Sequence, residues 1–163
     1  MKVVLLAGGH GSRLAEETSI RPKPMVEIGG IPIIEHIMNW YMAFGYKEFI
    51  ICLGYKGYKI ISYFKDYNIN NSSCVVSEYG KTETLNNGKK DWNIILAQTG
   101  TDTQTAGRIK KIFKYLDKDD DFMMTYGDGL SNVNLYNLYN FHKKNKKLCT
   151  VTAVKPLARF GAM

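Results

Sequence analysis

Val3-Val4-Leu5-Leu6-Ala7 followed by Gly8-Gly9-His10-Gly11-Ser12-Arg13-Leu14, with Arg21-Pro22-Lys23-Pro24 shortly after, is the stretch on which the fold turns. The apolar run has the length and composition of a strand buried on both faces. The glycines after it allow a tight turn whose backbone N–H groups can approach an anion with no side chain in the way. Arg13 adds a cation beside that turn. Lys23 lies between Pro22 and Pro24, which are expected to hold it extended in a stiff strap. A bare backbone turn with two cations suits a polyphosphate. The run is not a Walker loop, since no Gly-Lys-Ser/Thr follows, and Leu14 stands where a dinucleotide fingerprint needs its third glycine. A glycine turn after a strand is also an ordinary βα connection; Arg13 and the Pro-Lys-Pro strap are what point beyond it.

Outward from this stretch, the chain alternates. Ile31-Pro32 leads from the turn Glu27-Ile28-Gly29-Gly30 into a helix carrying Ile33, Ile34, Ile37, Tyr41 and Phe44, and Gly45 can end it in the left-handed conformation. His36 on this helix reads as a packed or surface residue. Glu48 to Leu53 is a second buried strand, and Gly54-Tyr55-Lys56-Gly57 turns into a helix with Tyr58, Ile61 and Phe64 on its apolar side. A βαβα order points to a parallel sheet with helices on its faces, hence an α/β, Rossmann-like class. The middle of the chain is less regular. Cys74 to Tyr79 reads as a short strand, residues 80–91 as a polar excursion with an Asn86-Asn87-Gly88 turn, and Trp92 to Gln98 as a strand. Thr99 to Arg108 is then a hydroxyl- and glycine-rich turn before a helix over Ile109 to Leu116, with more hydroxyls than capping requires.

Phe122 to Tyr126 forms a further strand and ends at Gly127-Asp128-Gly129, and Leu148 to Val154 is strand-like in composition. Ligands of open α/β sheets bind outside the carboxyl ends of the strands, so Asp128 is expected to face the same crevice as the first glycine turn. A carboxylate there is a natural Mg²⁺ ligand, because that ion is held by one or two carboxylates together with substrate phosphates. An Asp-Gly turn is the plainer alternative. His10 is kept as a minor phosphate contact, and His142 has no carboxylate partner in sequence.

Composition bounds the rest. The 163 residues, 45% hydrophobic and 23% charged, predict a single folded domain over residues 1–163. No basic-then-apolar leader opens the chain, and no apolar run nears the roughly 18 residues of a membrane helix, so no membrane association and a cytoplasmic setting are expected. Cys52, Cys74 and Cys149 are widely spaced in apolar segments and read as buried core thiols rather than a disulfide or metal framework. The net charge of +7 raises nucleic acid as a partner. Its densest run, Lys143-Lys144-Asn145-Lys146-Lys147, closes a helix-like segment without interleaved aromatics or arginines, and a solvated helix end explains it. Part of the positive excess can serve an anionic small substrate.

These motifs together resemble a known family. Leu6-Ala7-Gly8-Gly9-x-Gly11-Ser12-Arg13-Leu14 with Arg21-Pro22-Lys23-Pro24-Met25 is similar to the signature of the sugar-phosphate nucleotidyltransferases, with Ser12 where threonine is usual. Pro24 to Gly30, Phe49 to Cys52 with Gly54 to Gly57, Thr125 to Gly129 and Arg159-Phe160-Gly161-Ala162 resemble the branch that makes CDP-glucose from CTP and glucose 1-phosphate. The resemblance implies a Mg²⁺-dependent reaction with those two substrates, in the service of nucleotide-sugar and polysaccharide synthesis. It also admits a homo-oligomer. By position it assigns Leu6, Ala7, Gly8, Gly9, His10, Gly11, Ser12 and Gly127 to the nucleotide. Arg13 falls on the triphosphate and departing pyrophosphate, Lys23 on the α-phosphate, and Thr103 and Arg108 on the nucleotide. Asp128 falls on the metal. Ala106 stands where members usually carry glycine. Members also continue into a Glu-Lys-Pro segment for the sugar phosphate and a second metal-binding aspartate, neither present in these residues. Poor turnover by the 163-residue chain alone is therefore expected, and the alternatives are another sugar-1-phosphate nucleotidyltransferase using UTP, dTTP or GTP, or a nucleotide-binding module without turnover.

Overall fold

The computed structural model describes residues 1–9, 20–84, 90–117 and 121–154. Two compact units, Met1–Ser131 and Asn132–Met163, divide the chain. The first is built on a parallel sheet of four strands: β1 (Val3–Ala7), β4 (Glu48–Leu53), β7 (Asn93–Gln98) and β8 (Met123–Tyr126), in the order β7-β4-β1-β8. Every residue of β1 is buried, as a central strand with a neighbour on each edge requires. Register fixes the layers. Val4 pairs with Ile50 and Leu6 with Cys52, while Ile50 and Cys52 pair in turn with Ile95 and Ala97. These side chains share one face, where they pack with Ile112, Tyr115 and Leu116. Leu5, Ile51 and Leu53 point the other way; Leu53 lies under Gly57 at the start of a helix.

Between the strands, β2 (Glu27–Ile28) and β3 (Ile31–Pro32) form a small hairpin turned by Gly29 and Gly30, whose φ of 61° and 78° suit a type I′ turn. Helix α1 (Ile33–Ala43) follows with Pro32 as its N-cap residue, and Gly45 at φ 87° turns the chain just after it, the left-handed stop expected from sequence. Helix α2 (Gly57–Lys65) buries Ile60, whereas Tyr58 is exposed and Ile61 half-buried, so the inward side of this helix is one residue out of step with the expected one. The reason is the entry: Lys56 in the left-handed region and Gly57 against Leu53 set the helix phase. A short α3 (Tyr67–Asn70) completes the segment. Glu35 of α1 is buried and accepts hydrogen bonds from the hydroxyls of Tyr63 and Tyr67, the latter at 2.8 Å. Phenols in that position are pushed above their ordinary pKa, first by burial and then by the carboxylate they bond.

Three further expectations are corrected. The strand expected from Cys74 is present as β5 (Cys74–Val76), but the excursion expected over 80–91 opens with a partner strand, β6 (Thr82–Thr84), and the two form an antiparallel hairpin exposed along most of its length. Cys74 and Cys149 are accordingly exposed, and only Cys52 is a core thiol, which burial holds protonated up to about 11. The helix expected from Ile109 is α4 (Thr105–Ile112), continued by a 3-10 turn at Phe113–Tyr115; it starts earlier because the Arg108 N–H donates to the Gln104 carbonyl at 3.0 Å.

In the second unit, α5 (Leu135–Asn145) is capped by the Asn134 side chain, which accepts from the Asn137 N–H at 2.9 Å, and it ends at Lys146 in the left-handed region with Lys143 and Lys144 in its last turn. His142 Nδ1 lies 2.9 Å from Thr150 Oγ1. No strand forms over 148–154, where Leu148, Val151 and Val154 are exposed, contrary to the strand-like composition. No helix among the described residues is long and apolar enough to cross a membrane.

Candidate active site

The chain runs from β1 to β4 and β7 on one side and then returns to β8 on the other side of β1, which makes the carboxyl ends of β1 and β8 a topological switch point. A cleft of about 360 Å³ opens there. Leu6 and Ala7 border it from β1 and Gly8 and Gly9 from just past its end, Lys23 and Pro24 from the strap, Thr101 to Gln104 from the turn before α4, Thr105 and Arg108 from α4 itself, and Tyr126 and Asp128 from the end of β8 and just past it. The sequence-based grouping of glycine turn, strap, hydroxyl turn and strand-end acid is thus one place in the fold. His10, Gly11, Ser12 and Arg13 lie outside the described residues, as does the Arg159 to Ala162 stretch.

Lys23 arrives by a different geometry from the extended strap expected. Lys23–Met25 is a 3-10 turn closed by the Met25 N–H on the Pro22 carbonyl at 2.8 Å and the Val26 N–H on the Lys23 carbonyl at 3.1 Å. Proline is at home in such a first turn because its missing N–H is not needed there. Arg21 braces the segment by donating to Glu27 Oε1 at 2.6 Å. Pro24 then packs on Gly127: a Cβ on Gly127 would lie 3.0 Å from the proline ring, and the Gly127 N–H donates to the Leu6 carbonyl at 2.9 Å. A side chain at Gly127 would crowd this contact, and beside it Lys23 Nζ lies 2.5 Å from Asp128 Oδ2, both groups about one-third exposed or less.

The floor of the cleft is held by Arg108. Its Nη1 donates to the Thr99 hydroxyl at 2.6 Å and to the carbonyls of Gly100 and Leu53 at 2.8 and 3.1 Å; Nη2 donates to the carbonyls of Gly8 and Thr101 at 2.9 and 3.1 Å. Burial lowers the pKa of this guanidinium, opposed by Cys52 and Asp102, and an arginine remains charged all the same. The hydroxyl of Thr103 is also engaged, donating to the Thr99 carbonyl at 2.7 Å and accepting from Lys111 Nζ at 3.1 Å. Gly54, just past the end of β4, was read from sequence as part of a turn and not as a site residue. A Cβ there would sit 2.4 Å from the Gly8 carbonyl oxygen, so both strand-end glycines make room for the same contact. The recurrence of glycine right after β1 and β4 was its signal.

Chemically, the arrangement offers backbone amides and one lysine for anions, and two carboxylates, Asp102 and Asp128, border the same cleft. Among the described residues, no cluster of three or more His, Cys, Asp or Glu could hold a metal alone. Asp128 is a single carboxylate of the kind Mg²⁺ takes together with water and phosphate oxygens, and in this structure it is paired with Lys23 Nζ at 2.5 Å.

Comparison with known proteins agrees with this geometry. The nucleotidyl transferase family model matches residues 2–163. The chain is 45% identical over 164 residues to a glucose-1-phosphate cytidylyltransferase of Salmonella typhimurium and 43% identical to a probable one of Bacillus subtilis, in each case over 100% of this chain and 64% of the relative. Among solved structures, HddC from Yersinia pseudotuberculosis, crystallised with GMP-PN, is similar at 30% identity and a TM-score of 0.57, covering 86% of this chain and 53% of that one. The chain therefore spans about two-thirds of the length of its cytidylyltransferase relatives. With a match that runs from residue 2 to the last residue and a cleft at the switch point of a parallel sheet, the chain belongs to the nucleotidyl transferase family.

Proposed function

We propose that this chain is the nucleotide-binding portion of a glucose-1-phosphate cytidylyltransferase, with CTP in the cleft between the ends of β1 and β8. The observation that carries this reading is the 45% identity to the Salmonella enzyme over the whole of these residues. In the reaction, a phosphate oxygen of glucose 1-phosphate attacks the α-phosphorus of CTP. The new P–O bond forms as the bond to the β-phosphate breaks, giving CDP-glucose and pyrophosphate. The nucleophile belongs to the substrate, so the protein supplies position and charge rather than a covalent residue.

Leu6 and Ala7 border the nucleotide at the end of β1, and the Gly8 and Gly9 backbone presents N–H groups to the phosphates, continued by His10, Gly11 and Ser12. Lys23 carries a compact positive charge to the α-phosphate, where negative charge grows as the bond breaks. Arg13 takes the departing pyrophosphate. Thr103 and Arg108 border the nucleotide from the α4 turn, and Gly127 brings the β8 end close to it. Asp128 holds Mg²⁺, which when bound offsets phosphate charge. The setting is cytoplasmic.

The test is a thermal-shift titration. CTP is expected to stabilise the chain in the presence of Mg²⁺, and the Mg²⁺-dependent part is expected to vanish in Asp128→Asn. Stabilisation by UTP, dTTP or GTP equal to that by CTP would remove the cytidylyl assignment while leaving the family site. Absence of any nucleotide effect would remove the reading altogether.

A further inference from the structure

In the turn between β7 and α4, the side chain of Thr103 is held from both sides. A β-branched residue is stiff about χ1, and two glycines leave room for its two arms. A Cβ on Gly100, whose φ is 94°, would lie 2.9 Å from the Thr103 hydroxyl oxygen, and one on Gly107 would lie 2.8 Å from its methyl carbon. The hydroxyl is thus fixed in place on the border of the cleft. Its bonding is fixed as well. It donates its one proton to the Thr99 carbonyl at 2.7 Å and accepts from Lys111 Nζ at 3.1 Å, and the same ammonium donates to the Thr99 carbonyl at 2.8 Å. A hydroxyl has one proton and two lone pairs. With the proton and one pair committed inside the protein, a single lone pair is left for a ligand, so Thr103 meets the cleft as an acceptor. Asp102, next to it on the same border, is an acceptor too. This wall suits a part of the ligand that carries hydrogen-bond donors, in contrast with the Gly8 and Gly9 backbone and the Lys23 ammonium, which suit phosphate.

We infer that Thr103 determines which base is accepted: its hydroxyl, locked as an acceptor, takes a hydrogen bond from the exocyclic amine at C4 of cytosine. Uracil and thymine carry a carbonyl oxygen at that position, which would set lone pair against lone pair. To serve them the hydroxyl would have to turn its proton away from the Thr99 carbonyl and give up that bond, with Lys111 still occupying one of its lone pairs. The discrimination therefore comes from the protein-side partners of Oγ1 and not from the hydroxyl alone, which unassisted could donate or accept equally well. The inference rests on the cytidylyltransferase reading above and gives it a base-selecting atom.

The test compares three nucleotides by calorimetric titration in the presence of Mg²⁺: CTP, UTP, and the C4–H analogue of CTP, in which hydrogen replaces the amine. Wild type is expected to bind CTP best, the C4–H analogue roughly tenfold more weakly for the one bond lost, and UTP more weakly still for the opposed oxygen. UTP bound as well as the C4–H analogue, or better, would overturn the inference, since the hydroxyl would then be donating. Thr103→Val deletes the hydroxyl and keeps the shape, so in this variant the three affinities should draw together. A CTP preference preserved in Thr103→Val overturns the inference alone and leaves the cytidylyl reading, with the base read by other groups. Equal binding of all three nucleotides by wild type, or binding of none, removes the cytidylyl reading and the inference together. Should Thr103→Val fail to fold, the order of the three affinities in wild type decides by itself.

Discussion

Lys23 and Asp128 face each other at 2.5 Å where the strap meets the end of β8, and each is the other's counter-charge. Removing one leaves the other in a half-buried cleft with its partner gone. Lys23→Met is expected to weaken CTP binding without removing its Mg²⁺ dependence, whereas Asp128→Asn removes that dependence; calorimetric titration with and without Mg²⁺ separates the two. At Cys52 the expectation concerns pH. Its thiol is raised from 9.0 to about 11 by burial, so the proton is held more tightly in the folded state. The stability it contributes is whole below pH 9 and is lost as pH rises through about 11. Urea midpoints of the wild type should therefore fall more steeply over that window than those of Cys52→Ala. Exposed Cys74 and Cys149 should react with a thiol reagent in the native protein at neutral pH, and Cys52 only on unfolding. Most of this site was legible residue by residue: glycine after an apolar run, lysine between prolines and acid after a strand each name a chemistry. What could not be read was how Lys23 gets to Asp128. That depends on a 3-10 turn and on the absence of a Cβ at Gly127, a contact more than 100 residues apart in sequence.

Among the elements, β1, β4, β7 and β8 were legible because strands of a parallel sheet covered by helices carry continuous apolar runs. Strand β5 was read from sequence as well; its partner β6 was not, since Thr82-Glu83-Thr84 is polar and its pairing rests on main-chain bonds that composition does not report. The error over 148–154 is the converse: valine and threonine favour a strand only where an edge is there to pair with. The joint between α1, α2 and α3 rests on Glu35 with the two phenols. Tyr67→Phe deletes a bond to a buried carboxylate and is expected to cost about 1.5–3 kcal/mol, the range for hydrogen bonds to charged groups, measured by urea denaturation.

For the molecule as a whole, the sheet order places every cleft-lining group at one end of four parallel strands, and the glycine turn, strap, hydroxyl turn and Asp128 are brought together by connections that run back across the sheet. The expected division of labour is that the 163-residue chain binds CTP but forms CDP-glucose poorly; coupled pyrophosphate release after addition of glucose 1-phosphate measures it. Robust turnover would show that the sugar phosphate is held by residues within this chain. Arg108 also has a meaning for how such chains diverge. A guanidinium that occupies the space of two absent methyl groups, at Gly8 and Gly54, makes the three positions one inherited unit. A side chain added at Gly8 therefore meets the guanidinium alone, whereas one added at Gly54 also meets the Gly8 main chain at 2.4 Å and stays excluded even where the arginine is removed.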